Sequence, residues 1–124
     1  MRPITTFYAA RDLLRPLFAT LDHERFHAFH LDEVGHVLGQ TTFDGNARSV
    51  RVSFRLLFRD ALVVDARAML VAHNHPGGSQ QPSDADALTT RRIAEVADLV
   101  GIRLRDHLIW TACGCTSMRE RGLL

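Results

Sequence analysis

The sequence predicts a single α/β domain, in which helices flank a central mixed sheet. Three observations predict it. Apolar residues recur at helical spacing in three segments, shorter segments between them have the patterns of strands, and 124 residues is close to the usual size of one domain. We expect residues 1–124 to form one domain, with residues 1–21 as an N-terminal helical segment and residues 22–124 as its core.

The first half of the chain predicts a helix, a hairpin and a second helix. Apolar side chains at helical spacing indicate a helix over residues 6–21, which Pro16 either kinks or divides. Residues 25–31 alternate as a strand does, and residues 35–38 would return beside them as the second strand of a hairpin. Apolar residues at positions i, i+3, i+4 and i+7 predict an amphipathic helix over residues 54–66.

The second half predicts a buried strand, a loop, a helix and closing strands. Residues 68–72 are a continuous apolar run, which is typical of a strand covered on both faces. Glycine, proline, serine and glutamine make residues 76–82 a loop. The helical pattern resumes over residues 83–100, and closing strands are predicted at residues 102–104 and 108–110.

Composition and charge predict a globular protein of the cytoplasm. The hydrophobic share of 46% and the charged share of 23% are ordinary values for folded domains. Fifteen basic and fourteen acidic residues leave a formal net charge of +1, which does not support a nucleic-acid partner. The N-terminus lacks the apolar region of a signal peptide, and no apolar run is long enough to cross a membrane. Cys113 and Cys115 are too close in sequence for good disulfide geometry, so we expect reduced thiols.

Two histidines and an aspartate form the pattern that carries chemistry. His73 and His75 follow the buried strand, and side chains two residues apart on a strand point to the same side. If a helix begins at Ser83, Asp86 lies in its first turn and can point back to the histidines. Two imidazoles and one carboxylate suit Zn²⁺ and leave the fourth tetrahedral position for water, as in catalytic zinc sites. The sequence therefore predicts a hydrolytic zinc site.

A purely structural interpretation of the same residues is also open. Ser83 is a good helix N-cap, and Asp86 three residues later completes a capping box. A histidine pair with one residue between is by itself more often solvated or packed than bound to a metal. His27 and His30 lie on the neighbouring predicted strand, from which either could face the zinc.

The same segment resembles the JAMM (JAB/MPN) metalloprotease motif, in which His-x-His-Pro is followed after a spacer by Ser-x-x-Asp. The matching positions are His73, His75, Pro76, Ser83 and Asp86. Within that superfamily the chain is similar to the bacterial RadC-like branch from about residue 21 to its end. The further matches are Asn74, Gly77, Gly78, Pro82, Gly101, Ile102, Asp106, His107 and residues 119–124.

The resemblance implies a JAB/MPN-like (cytidine-deaminase-like) fold and a zinc hydrolase that cleaves peptide or isopeptide bonds. It implies that Glu24, at the start of the 25–31 strand, is the general acid/base, and that Ser83 hydrogen-bonds the developing oxyanion. It also suggests that His107 orders the sheet beside the site. RadC-like chains usually carry Pro-Arg-Glu at the start of the helix before the motif, but residues 54–56 here end in Leu56.

Two other functional classes remain open from the sequence. One is a catalytically silent module that keeps the fold and the metal but binds a partner, as several members of that superfamily do. The other is a factor associated with DNA repair, which only the RadC resemblance suggests. Full-length RadC-like proteins tend to carry an N-terminal helix-hairpin-helix segment. This chain is expected to be too short for one, so a DNA-related role based on that segment does not carry over.

Overall fold

The fold is a five-stranded mixed sheet with three helices. A computed structural model describes residues 2–79 and 81–124. In chain order the elements are α1 (Phe7–Phe18), β1 (Arg25–Leu31), β2 (Val37–Asp44), α2 (Phe54–Val63), β3 (Ala68–Asn74), α3 (Asp84–Leu99), β4 (Arg103–Thr111) and β5 (Gly114–Ser117). The strand order is β2-β1-β3-β4-β5, in which β3 and β4 run parallel and the other neighbours antiparallel. The predicted α/β architecture with a central mixed sheet is confirmed.

The apolar run that precedes the histidines forms the central strand. All seven residues of β3 are buried, because β1 and β4 flank the strand and helices cover both of its faces. Met69 and Val71 pack with Leu57 of α2 and Ile93 of α3 on one face. Since side chains alternate along a strand, His73 projects to this same face, on which α3 lies.

Helix α1 covers the opposite face of the sheet. Thr6 caps it by accepting a hydrogen bond from the Ala9 N–H, and Pro16 lies inside a single helix rather than dividing it. The buried residues of α1 pack with even-numbered side chains of β3, such as Leu70 and Ala72, in a second core cluster. The central strand is therefore held from both sides. In the part of the chain that the structure describes, no helix is long and apolar enough to cross a membrane.

Several predicted boundaries differ from the structure for identifiable reasons. The two closing strands predicted at residues 102–104 and 108–110 are one strand, β4. Its pairing with β3 shifts where Arg105 is inserted, and this irregularity breaks the alternation of apolar side chains. The short strand β5 was not predicted, because its four residues carry no alternation that indicates a strand. Helix α2 ends before residue 66, since Asp65 adopts a left-handed conformation with φ of 53°.

Strand β2 extends beyond its predicted bounds, and the described residues of the predicted loop before α3 form no helix or strand. Strand β2 is longer than the predicted residues 35–38, because its polar edge residues continue the pairing with β1 to Asp44. The predicted loop over residues 76–82 contains Gln80, which lies outside the described residues. Its other residues are in turns and irregular structure between β3 and α3.

Candidate metal centre

The structure brings the three predicted metal-binding side chains together. His73 is near the end of β3, His75 follows the strand, and Asp86 lies in the first turn of α3. The two Nε2 atoms are 2.9 Å apart, and the carboxylate oxygens of Asp86 lie 3.2 Å from His73 Nε2 and 3.1 Å from His75 Nε2. One donor atom from each residue lies within 4.8 Å of the other two, so the group could hold one metal ion.

The N-terminal cap of α3 aims the Asp86 carboxylate. The Ser83 hydroxyl oxygen accepts the Asp86 N–H at 3.0 Å, and Asp86 Oδ2 accepts the Ser83 N–H at 2.8 Å. This reciprocal pair is a capping box, so the structural interpretation of these two residues holds as well. The two interpretations do not compete, since the cap fixes the carboxylate in the position from which it faces both histidines.

The ring of His75 is oriented by the loop that follows it. Its Nδ1 lies 2.7 Å from the Ser79 carbonyl oxygen and donates a proton there, which leaves Nε2 as the free lone pair. Its main-chain N–H donates to the Trp110 carbonyl on β4 at 2.9 Å. The side chain is therefore held at both the ring and the backbone.

A series of three hydrogen bonds connects His73 to the main chain of Asp86 and orients the His73 ring. His73 Nδ1 lies 2.7 Å from His107 Nε2, and His107 Nδ1 lies 2.6 Å from the Thr90 hydroxyl. The Thr90 hydroxyl donates in turn to the main-chain carbonyl of Asp86 at 2.7 Å. When His73 Nδ1–H and His107 Nδ1–H are the donors, every bond is satisfied and His73 Nε2 is left free for a metal. The chain begins at one candidate ligand and ends on another.

The charges of the site favour a bound cation. Burial alone would raise the pKa of Asp86, but when His73 and His75 carry a proton on Nε2 their hydrogen bonds hold this pKa well below its ordinary value. A metal ion would take the place of those protons. The hydrogen bond to Asp86 raises the pKa of His75, against the opposing effect of burial. Burial lowers the pKa of His107 well below its ordinary value, so this ring is neutral and can both donate and accept. Asp86 thus supplies a carboxylate and His107 a neutral partner for His73.

Glu24 precedes β1 at the same end of the sheet as the three candidate ligands, and their charges act on its carboxyl. Phe26 of β1 is opposite His73 of β3, and Glu24 is two residues before Phe26, so its side chain belongs to the same face. Burial raises the pKa of Glu24, the charges of His73 and His75 lower it, and the charge of Asp86 raises it again. The Glu24 carboxyl is therefore close enough to respond to every member of the group.

The amino-acid sequence of the chain matches a known protein family. The model of the RadC-like JAB domain family matches residues 4–123. The chain belongs to the RadC-like JAB domain family. The match includes α1, so the family likeness extends further towards the N-terminus than the sequence resemblance from residue 21 indicated.

Curated relatives of this RadC-like domain are bacterial UPF0758 proteins. UPF0758 protein YkfG of Escherichia coli (strain K12) is 38% identical over 121 residues, which cover 97% of this chain and 77% of the relative. UPF0758 protein YeeS of the same strain is 38% identical, with 97% and 82% covered. A UPF0758 protein of Salinibacter ruber (strain DSM 13855 / M31) is 38% identical over 114 residues, which are 91% of this chain but 49% of the relative. The chain thus spans about half of some relatives and most of others.

The other histidines considered as metal ligands bond elsewhere in the RadC-like domain. His27 lies on the face that α1 covers, and its Nε2 is 2.8 Å from the Gln40 side-chain oxygen. His30 Nε2 is 2.7 Å from the Thr41 hydroxyl, which donates to Asp60 of α2. Neither ring belongs to the group formed by His73, His75 and Asp86 within the described residues, so the alternative that one of them faces the metal is wrong.

Thr90 is the site residue that sequence reasoning missed. It is fully buried in the middle of α3 and contacts both His107 and the Asp86 main chain. A signal was present, because Thr90 occupies the same helical stripe as the apolar Ile93 and Ala97 and is four residues after Asp86. A polar residue on a buried stripe indicates a specific hydrogen-bond partner.

Replacing Thr90 by valine should weaken metal binding while keeping the shape of the side chain. Thr90→Val leaves His107 Nδ1 without an acceptor, which loosens the orientation of His73, so we expect the zinc dissociation constant to rise by about 10–100-fold. Competition with a chromophoric chelator measures it. Thr41→Val is the matched control, because Thr41 is also a buried threonine bonded to a histidine, His30. Equal zinc affinities for the two variants would contradict the orienting role of Thr90.

Proposed function

We propose that the protein is a zinc-dependent hydrolase of the JAMM type, which cleaves the amide bond of a peptide or an isopeptide-linked substrate. The observation that carries the proposal is the close group of His73, His75 and Asp86. Two imidazoles and one carboxylate are the donors of many catalytic zinc sites, whereas structural sites have four protein ligands. Membership of the RadC-like JAB domain family supports the same chemistry.

Three side chains would bind the metal that hydrolysis requires. His73 Nε2, His75 Nε2 and Asp86 would hold the zinc ion. Zinc bound at such a site supplies Lewis-acid chemistry, which polarises a carbonyl group and lowers the pKa of water to about 7.

Glu24 would accept a proton from the attacking water and deliver it to the leaving amine. A half-buried carboxyl with a raised pKa suits both halves of this transfer. The Ser83 hydroxyl oxygen accepts the Asp86 N–H, and its own proton would be donated to the developing oxyanion. The proposal places the protein in the reducing cytoplasm, where Cys113 and Cys115 would remain the free thiols that the structure has.

The test is a cleavage screen that depends on metal. The purified protein is loaded with zinc and incubated with a peptide library and with isopeptide-linked lysine conjugates. We expect cleavage of members of at least one class, loss of cleavage after treatment with a chelator, and recovery when Zn²⁺ is restored. A protein that binds zinc but cleaves neither class would instead support the competing function, a catalytically silent module. Leu56, in place of a glutamate of the family pattern, is the feature that favours that competitor.

A further inference from the structure

Asn74 lies between the two histidines of β3 and bonds to the main chain on both sides of Glu24. Only 3% of Asn74 is exposed. Its Oδ1 accepts the Arg25 N–H at 2.7 Å, and its Nδ2 donates to the His23 carbonyl at 2.9 Å. A buried side-chain amide with both a donor and an acceptor satisfied is held in one orientation. Asn74 therefore fixes the two peptide groups that Glu24 joins.

The other edge of the same segment is fixed by the turn after β2. The Glu24 N–H donates to the Asn46 carbonyl at 2.7 Å, and the Glu24 carbonyl accepts the Gly45 N–H at 2.8 Å. A side chain at Gly45 would collide with the backbone at Ser49, so this turn needs glycine. The main chain at Glu24 is thus held from β3 on one side and from the turn on the other.

Main-chain pairing with β3 does not extend to Glu24, which explains why a side chain takes this role. The register of β1 against β3 ends at the pair Phe26 and His73. Beyond it, the His75 N–H bonds to Trp110 of β4 rather than to the segment before β1. The amide of Asn74 offers one donor and one acceptor, as a peptide group would, and completes the pairing at the point where the strands separate.

We propose that Asn74 is a positioning residue, which holds Glu24 at the place where it transfers protons beside the metal centre. The inference rests on the proposed function, in which Glu24 is the general acid/base. A general base must lie within hydrogen-bond reach of the proton that it takes, and displacement by about 1 Å can lower a rate by about 10²-fold. The segment His73-Asn74-His75 would then provide two metal ligands and the residue that positions the general base.

The chemistry of an amide is needed at this position. An aspartate would keep the acceptor for the Arg25 N–H but would set a carboxylate oxygen against the His23 carbonyl. Alanine would remove both hydrogen bonds and leave two buried main-chain groups without partners. Either change should let the segment that carries Glu24 move, while the ring of His73 keeps its partner His107 and the ring of His75 keeps the Ser79 carbonyl.

The test uses cobalt in place of zinc, because the visible absorption of bound Co²⁺ reports the metal surroundings without a substrate. Wild type, Glu24→Gln, Asn74→Ala and the double variant are each loaded with about one Co²⁺ per chain and titrated with acid and base. We expect Glu24→Gln to shift the pH at which the spectrum changes, Asn74→Ala to shift it in the same direction, and the double variant to match Glu24→Gln. With a cleavable substrate, Asn74→Ala should lower kcat by roughly 10²-fold.

The control and the contradicting outcomes separate this inference from the proposed function. Thr111→Val removes another buried polar group at the same end of the sheet and should leave the cobalt titration unchanged. If Glu24→Gln shifts the titration and Asn74→Ala does not, the positioning role fails alone. If Glu24→Gln has no effect, the general-base assignment fails and the positioning role with it.

A second measurement needs no substitution and applies even if Asn74→Ala does not fold. In the wild-type protein the Arg25 N–H should be protected from hydrogen exchange, because Asn74 Oδ1 accepts it. Exchange of this proton at the rate of an exposed amide would overturn the contact, and the positioning role that depends on it.

Discussion

Glu24→Gln is expected to keep the fold and the bound metal while it lowers the cleavage rate by about 10²–10⁴-fold, the usual contribution of a positioned acid/base. Glutamine has the size of glutamate but cannot accept a proton at neutral pH. The wild-type rate should fall with decreasing pH as the Glu24 carboxylate becomes protonated, and burial, which raises the pKa of Glu24, moves this fall to higher pH. The pH profile of kcat/KM measures both effects.

A matched control for this prediction is Glu33→Gln. Glu33 is an exposed glutamate in the connection between β1 and β2, and its loss should leave the rate unchanged. Leu56 cannot replace Glu24 in proton transfer, since its side chain carries no titratable group and 40% of it is exposed in the first turn of α2. An active enzyme whose rate is the same with glutamine at position 24 would remove Glu24 from the mechanism.

Asp86→Ala is expected to abolish stoichiometric zinc binding. The change removes one of three donor groups and leaves the two imidazoles, which are 2.9 Å apart at Nε2, without the carboxylate that contacts both of them. Zinc content should fall from about one equivalent per chain to almost none after dialysis, because the free energy of binding is shared among few ligands. Metal analysis of protein purified without chelator measures it, and His75→Ala should behave in the same way.

Asp84→Ala separates loss of the ligand from damage to the helix. Asp84 lies in the same first turn of α3, but it is exposed and does not belong to the group that could hold a metal. The Asp84→Ala variant should therefore retain zinc. Circular dichroism should show an unchanged helix content in both variants, although Asp86→Ala also loses half of the capping box at a cost of about 1 kcal/mol. Full zinc occupancy in Asp86→Ala would exclude the ligand assignment.

Local signals in the sequence explain why the central strand and the three candidate ligands could be predicted. A continuous apolar run predicts a strand buried on both faces, and β3 is that strand. Ser83 with Asp86 predicts a helix start, which is where α3 begins. The spacing of His73 and His75 then needs only the alternation of a strand to place both rings on one side.

The supporting residues could not be predicted, because their roles depend on partners distant in the chain. Asn74 contacts residues 23 and 25, and Thr90 contacts His107. The place of Thr90 on a buried helical stripe indicates that it has a partner but does not identify that partner. The inserted residue Arg105 in β4 likewise depends on how that strand pairs with β3. Local propensity and periodicity indicate where helices and strands lie, whereas these contacts exist only after the sheet has formed.

The alternation of β3 between the two faces of the sheet restricts where the length of the chain can change. Inserting or deleting one residue between Met69 and His73 would exchange the faces, so that the histidines would point towards α1 and the residues that pack under α1 would point towards α3. An insertion in the segment between β2 and α2, outside the turn of residues 45–49 that holds Glu24, would change no strand register, and its cost would be small. In this family, insertions and deletions are thus expected in the connections and excluded from the strand that precedes the metal centre.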